Sequence, residues 1–327
     1  MKDHVIRRME SLGVSLFRIN LSHTGIGDLA EIIEFIQVRT GVPICLDTEG
    51  AQIRTGELAD DQVEVRENAV VNVCRRRILG DGASFNIYPT NILDQLQEGD
   101  FLSIDFNTVL VQVIGGNDEA VVMRVLNGGR IGPNKAVTVE RNISLPPLTD
   151  KDRAAIPIAI EKGLRHFALS FANRKSDVAM FRALVGENAF VISKIESRRG
   201  IGNLRDIALC SDAILIDRGD LSREIAIEQI PAIQKSVIRI ARELSTPVYV
   251  ATNLLESMVA QPTPTRAEVN DIHNTLLDGA DGLVLAAETA IGEYPVQCTS
   301  MVVKMIRGFE RDNNDDDGQY HDDPVSL

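Results

Sequence analysis

Seven short apolar, β-branched runs, each ending in polar or charged residues, constrain this chain more than any other feature. They read as strands over 14–20, 42–47, 166–171, 190–196, 213–218, 247–253 and 281–287. Each is apolar almost throughout, as a strand covered on both faces requires. Helical patterns lie between them. The clearest covers 265–278, where Thr265 and Glu268 form a T-x-x-E capping box and Gly279 provides the stop. Alternating strands and helices specify a parallel sheet with right-handed crossovers. Most strands start 23 to 34 residues apart, but 124 residues separate the second start from the third. That gap holds an insertion with a different pattern: NAVVNVC, DFLSIDF, TVLVQVIG and AVVMRV alternate, and Gly-Asp, Gly-Gly-Asn-Asp and Asn-Gly-Gly punctuate them. It predicts a small all-β module. The expected fold is α/β, a TIM-type (β/α)8 barrel with its first strand missing, over 1–57 and 146–308, with an inserted β lid over 58–145.

The formal net charge is −13, and seven carboxylates lie between Glu310 and Asp323. This run predicts an acidic disordered tail over 309–327. An acidic chain does not suit nucleic acid, which calls for a basic face. No run approaches the ~20 apolar residues of a membrane span. The opening MKDHVIRRMESLG reads as a short amphipathic helix, not a signal peptide. Cys45, Cys74, Cys210 and Cys298 are far apart with no CxxC spacing, which fits a reducing compartment and a cytoplasmic protein.

A parallel barrel builds its active site at the C-terminal ends of its strands. Those ends carry Arg18, Asn20, Ser22 and His23; Asp47 and Thr48, with Arg54 in the following turn; Ser170; Lys194 and Glu196; Arg218 and Asp220; Thr252; and Glu288. Scattered surface loops explain any one of these residues but not the full set. Glu196 and Asp220 end adjacent strands and can converge on a hard cation, Mg2+ or Mn2+; the plainer alternative pairs them with Lys194 and Arg218. A lysine two residues before Glu196, together with several arginines, suits an anionic substrate. Gly219 puts backbone amides at a helix start, where an anion can be met. Asn20, Ser22, Asp47 and Thr48 form an oxygen-rich group suited to a monovalent cation, and His23 reads as a hydrogen-bonded structural residue.

Taken in order, these segments resemble the pyruvate kinase family. FRINLSH and DTEGAQIRTG resemble the family's arginine–asparagine–serine-histidine and DTKGPEIRTG segments. LPPLTDKD, FALSFANRKSDV, ISKIES, RGDL, ATNLLESM, PTPTRAEVND and GADGLVLAAETAIGEYP follow in family order, so the likeness covers about residues 5–308. The resemblance implies that Glu196 and Asp220 hold Mg2+ and that Lys194 neutralises charge on the transferring phosphoryl group. Arg18 and Arg54 would grip phosphates, and Thr252 would hold the water that protonates the enolate. Amides near Gly219 and Asp220 would bind the substrate carboxylate. Arg18, Asn20, Arg54 and Lys135 would serve the nucleotide, and Asn20, Ser22, Asp47 and Thr48 would bind potassium. The implied function is glycolytic phosphoryl transfer between phosphoenolpyruvate and ADP, giving pyruvate and ATP. Two alternatives stand beside it: a diverged enzyme using the same enolate core with another acceptor, and a non-catalytic subunit that needs a partner chain.

The sequence also departs from the family pattern. The family's opening strand-turn segment and its C-terminal regulatory domain have no counterpart here, so a homo-oligomer, a partner chain or the C-terminal tail is expected to cover the open sheet edge. Glu49 stands where the family has lysine, a change of two charge units, and Gln52 stands where it has glutamate. Asp217 and Ser222 replace the alanine and second glycine around RGDL. Ala286, Ala287 and Ile291 alter the motif around Glu288, and Asp105-Phe106-Asn107 alters the lid's DDG.

Overall fold

A computed structural model describes residues 2–105, 108–141 and 143–315 of the chain. Phe106, Asn107 and the carboxylates from Asp316 onward lie outside the described residues. The chain divides into two compact units. The first comprises the described residues up to Glu49 and from Asp150 onward, and the second is Gly50–Thr149.

The first unit holds a seven-stranded parallel sheet in sequence order: Phe17–Asn20, Ile44–Asp47, His166–Leu169, Phe190–Ile195, Ala213–Asp217, Val248–Ala251 and Gly282–Val284. Neighbours pair in parallel register, Asn20 with Asp47 and Lys194 with Leu215. This is the α/β architecture of a TIM-type barrel, with small side chains filling its inner layer: Cys45, Ala168, Ala213 and Ala251, together with Ile192 and Leu215. Several strands are shorter than the sequence pattern suggests. The residues just beyond their ends, such as Ser170, Glu196 and Thr252, leave the ladder and carry the polar chemistry.

Among the described residues no ladder joins the first strand to the seventh. The helical layer closes across that interval. The amphipathic helix Asp3–Leu12, capped by Gly13 in the left-handed region, buries Val5, Ile6 and Met9. These pack with Phe17 of the first strand and with Val296 of the last helix, Pro295–Asp315. That helix also corrects the predicted tail. Residues from Phe309 to Asp315 are helical, and the Phe309 ring meets His273 edge-on at 5.8 Å, which gives the segment an apolar anchor. Thr265 and Glu268 form the predicted capping box on the helix Arg266–Leu277.

The second unit contains an eight-stranded, mostly antiparallel sheet and a two-stranded one. Its long hairpin pairs Val109–Gly116 with Ala120–Asn127. The unit begins before position 58 because Ile53–Thr55 pairs with Ala136–Val139 and with Ile87–Tyr88, inside its sheet. Twenty buried apolar side chains, among them Phe85, Leu102, Val111 and Met123, form its core.

Candidate active site

The C-terminal ends of the first unit's strands converge on Lys194, which is 3% exposed. Its Nζ lies 2.8 Å from Glu196 Oε1, 3.3 Å from Asp47 Oδ2 and 3.6 Å from Asp217 Oδ2. It also donates to Ser170 Oγ at 3.2 Å. Arg18 Nε donates to the same Asp47 oxygen at 2.8 Å. Buried charges persist only when paired and hydrogen-bonded, and this cluster meets that condition across neighbouring strands. Burial alone would lower the Lys194 pKa; Asp47, Glu196 and Asp217 overcome it and raise the value, against opposition from Arg18.

Glu196 and Asp47 are fully buried. Glu196 Oε2 accepts the Phe171 amide at 2.6 Å, in a turn where Phe171 has φ +51°. Glu196 Oε1 is buried and, despite the nearby Lys194, makes no hydrogen bond. Burial pushes the Glu196 carboxyl up to about 8; Lys194 opposes this, and Asp220, Asp217 and Asp47 add to it. Oxygens of Glu196, Asp217 and Asp220 lie within 4.8 Å of one another. Converging hard oxygens, one of them a buried acceptor held only by the Lys194 ion pair, fit a divalent cation.

Asp217 is the residue that the sequence reading missed. It was legible only as a departure from alanine, yet it is 6% exposed and sits at the centre of the site. Its Oδ1 accepts the Thr252 hydroxyl at 2.6 Å and the Asp220 amide at 3.4 Å. Burial would raise its pKa, but Lys194, the Thr252 hydrogen bond and Arg18 hold it below the usual carboxylate range. Thr252 itself has φ +77°, strained for a β-branched residue at a cost of about 1–3 kcal/mol.

Arg218 supports that strain and does not face the carboxylates. Its Nε and Nη2 donate to the Thr252 carbonyl at 3.0 and 2.7 Å, and Nη1 pairs with Asp271 at 2.7 Å. The alternative in which Arg218 neutralises Asp220 is therefore corrected, since Asp220 pairs with Arg223 at 2.5 Å. Gly219 is required by close packing, because a Cβ there would sit 2.7 Å from Thr252 Cγ2. Glu288 is a structural carboxylate that accepts the Leu255 and Ala286 amides.

The oxygen-rich group on the first two strands has internal partners. Asn20 Oδ1 accepts the Ser22 amide at 2.9 Å, Thr48 Oγ1 accepts the Ser170 amide at 2.9 Å, and Asp47 is held as above. His23 is exposed and its ring has no partner among the described residues, so the reading of a hydrogen-bonded histidine is corrected. It ends a three-residue 3-10 turn, too short to enclose it. Glu49 is paired with Lys151 at 2.8 Å. Arg54 and Lys135 belong to the second unit. There Arg54 donates to the Asn134 carbonyl at 2.8 Å, and Lys135 Nζ lies 3.3 Å from Asp105.

Comparison with known proteins agrees with this geometry. A family model described as pyruvate kinase, barrel domain, matches residues 1–299. The pyruvate kinase of Thermotoga maritima is 36% identical over 319 residues, covering 94% of this chain and 68% of that protein. That of Agrobacterium vitis is 35% identical over 314 residues, covering 94% and 65%. That of Aeropyrum pernix is 34% identical over 311 residues, covering 92% and 66%. The chain spans from 52% to 69% of the length of such relatives. With a parallel sheet ending in this cluster of cations and carboxylates, and a family model matching nearly all of the described residues, the chain belongs to the pyruvate kinase family.

Proposed function

We propose that the chain transfers the phosphoryl group of phosphoenolpyruvate to ADP, giving pyruvate and ATP. The observation that carries this reading is the buried Lys194 ammonium, fixed among Asp47, Glu196 and Asp217. Phosphoryl transfer asks a protein for positioning and charge rather than a nucleophile, and this cluster offers both. The bond from phosphorus to the enolate oxygen breaks as a bond from an ADP phosphate oxygen forms, and the enolate then takes a proton from water. Lys194 balances charge on the moving phosphoryl oxygens, and Arg18 grips the phosphate. Amides near Gly219 and Asp220 receive the substrate carboxylate, the Asp220 amide sharing its hydrogen with the long contact to Asp217 Oδ1. Thr252, whose hydroxyl proton is directed to Asp217, offers its lone pairs to the water that protonates the enolate.

A divalent ion on Glu196 and Asp220, Mg2+ or Mn2+, supplies Lewis-acid charge stabilisation when bound. The same reading gives potassium to Asn20, Ser22, Asp47 and Thr48, and nucleotide phosphates to Arg18, Asn20, Arg54 and Lys135. It places the enzyme in the cytoplasm, and among the described residues no helix is long and apolar enough to cross a membrane. The test is Lys194→Met in the full chain. ATP formation is expected to fall by about 10^3-fold or more, while Mn2+ binding, read without substrate, stays within a few-fold of the native value. Unchanged turnover overturns the reading.

A further inference from the structure

Two features of the site call for a joint explanation. One is a third carboxylate, Asp217, placed where the resembling family carries alanine. The other is the buried Glu196 Oε1 beside that carboxylate, which has the Lys194 ion pair at 2.8 Å but no hydrogen bond of good geometry. Four carboxylates (Asp47, Glu196, Asp217 and Asp220) face only three cationic side chains: Lys194, Arg18 and Arg223. When Glu196 is ionised, as a bound cation requires, one negative charge remains at buried strand ends among the described residues.

We propose that Asp217 is a third protein ligand for the divalent ion, so that this chain takes up Mg2+ or Mn2+ before, and independently of, its organic substrate. The inference rests on the function proposed above and deepens it.

Spacing supports it. An octahedral ion with oxygens at about 2.1 Å keeps them about 3.0–4.2 Å apart, and the three carboxylates already lie within 4.8 Å of one another. Only a small inward movement is needed to close on an ion. Asp217 is also preorganised. Its Oδ1 is fixed by Thr252 and the Asp220 amide, whereas Oδ2 has only Lys194 among the described residues, at 3.6 Å. That distance is beyond an ordinary hydrogen bond, so one oxygen holds the side chain in place and the other is free to bind. Two carboxylates from the protein leave an ion largely dependent on substrate oxygens. Three carboxylates, two at strand ends and Asp220 in the helical turn Arg218–Leu221, complete half of an octahedron by themselves.

The competing explanation is that Asp217 is a prop, present only to hold the Thr252 hydroxyl. Two variants of the full chain separate the two roles. Asp217→Ala removes both roles and restores the residue the resemblance expects, so it should fold. Asp217→Asn keeps an oxygen for the Thr252 hydroxyl and removes the charge. Mn2+ alone, without any phosphorylated compound, is titrated by calorimetry and by electron paramagnetic resonance. Both variants are expected to weaken Mn2+ binding by about 10-fold or more. The native complex should keep about three inner-sphere waters, counted by 17O-water line broadening, and Asp217→Ala about one more.

A loss confined to Asp217→Ala, with Asp217→Asn binding like the native chain, overturns the proposal in favour of the prop. So does an unchanged water count. Glu196→Gln, run in parallel, keeps this failure distinct from that of the functional reading. If Glu196→Gln loses Mn2+ and the Asp217 variants do not, the proposal falls and the functional reading stands. If none of the variants changes Mn2+ binding, both fall.

Discussion

The two units bury different things. The second builds its core from aliphatic and aromatic side chains and keeps ion pairs such as Arg77 with Glu57 and Arg75 with Asp94 near the surface. The first encloses Lys194, Asp47, Glu196 and Asp217 at the ends of its strands. An apolar core depends on shape and area, whereas a buried ionic cluster depends on every partner staying in place. The second unit is thus expected to fail by loss of packing, and the first by imbalance of charge.

The sharpest test of the packing side is Phe85→Ala, which empties a fully buried position in the second unit. It should cost about 3–5 kcal/mol, seen as lost hydrogen-exchange protection along Val109–Gly116, while Mn2+ binding in the first unit is retained. The charge side is tested by pH. Because Glu196 is held up to about 8 in the folded chain, above its ordinary value near 4.5, the folded state carries the extra proton between those limits. Stability without metal must then decline as pH rises through that window. Glu196→Gln should flatten the decline and stabilise the metal-free chain at pH 9 by about 1–3 kcal/mol, as read by urea denaturation. The smallest effect is expected at the surface. Arg77→Ala breaks an exposed pair and should change stability by less than about 0.5 kcal/mol in the same assay.

The sequence made some of this legible and left the rest hidden, for identifiable reasons. Strand order and the position of the insertion followed from spacing, because strands buried on both faces are apolar runs and a parallel crossover has a limited length. Lys194, Glu196 and Asp47 stood out because charges at the ends of such runs need partners. Arg218 was misread because proximity in sequence to Asp220 says nothing about direction; the guanidinium turns the other way, to the Thr252 carbonyl. The positive φ at Phe171 and Thr252 had no signal, since neither residue type favours it and only the surrounding bonds impose it. Asp217 was visible as a letter but not as a ligand candidate, because convergence of side chains from different strands is set by register and not by composition. The helix continuing to Asp315 was hidden for the opposite reason: charge density outweighed a single apolar anchor at Phe309.

The packing of Asp3–Leu12 against the helix that begins at Pro295 joins the two most distant parts of the described chain. On a ribosome adding about 5–20 residues per second, Val5, Ile6 and Met9 emerge some 15–60 s before their partner Val296 has been made. The insertion, whose strands all lie within Ile53–Val139, can settle in that time, whereas the helix packs on Phe17 and Phe35 and waits for Val296 to complete its cover. Completion of that packing therefore depends on a residue made late in synthesis, and slower elongation lengthens the interval during which the helix is only partly covered.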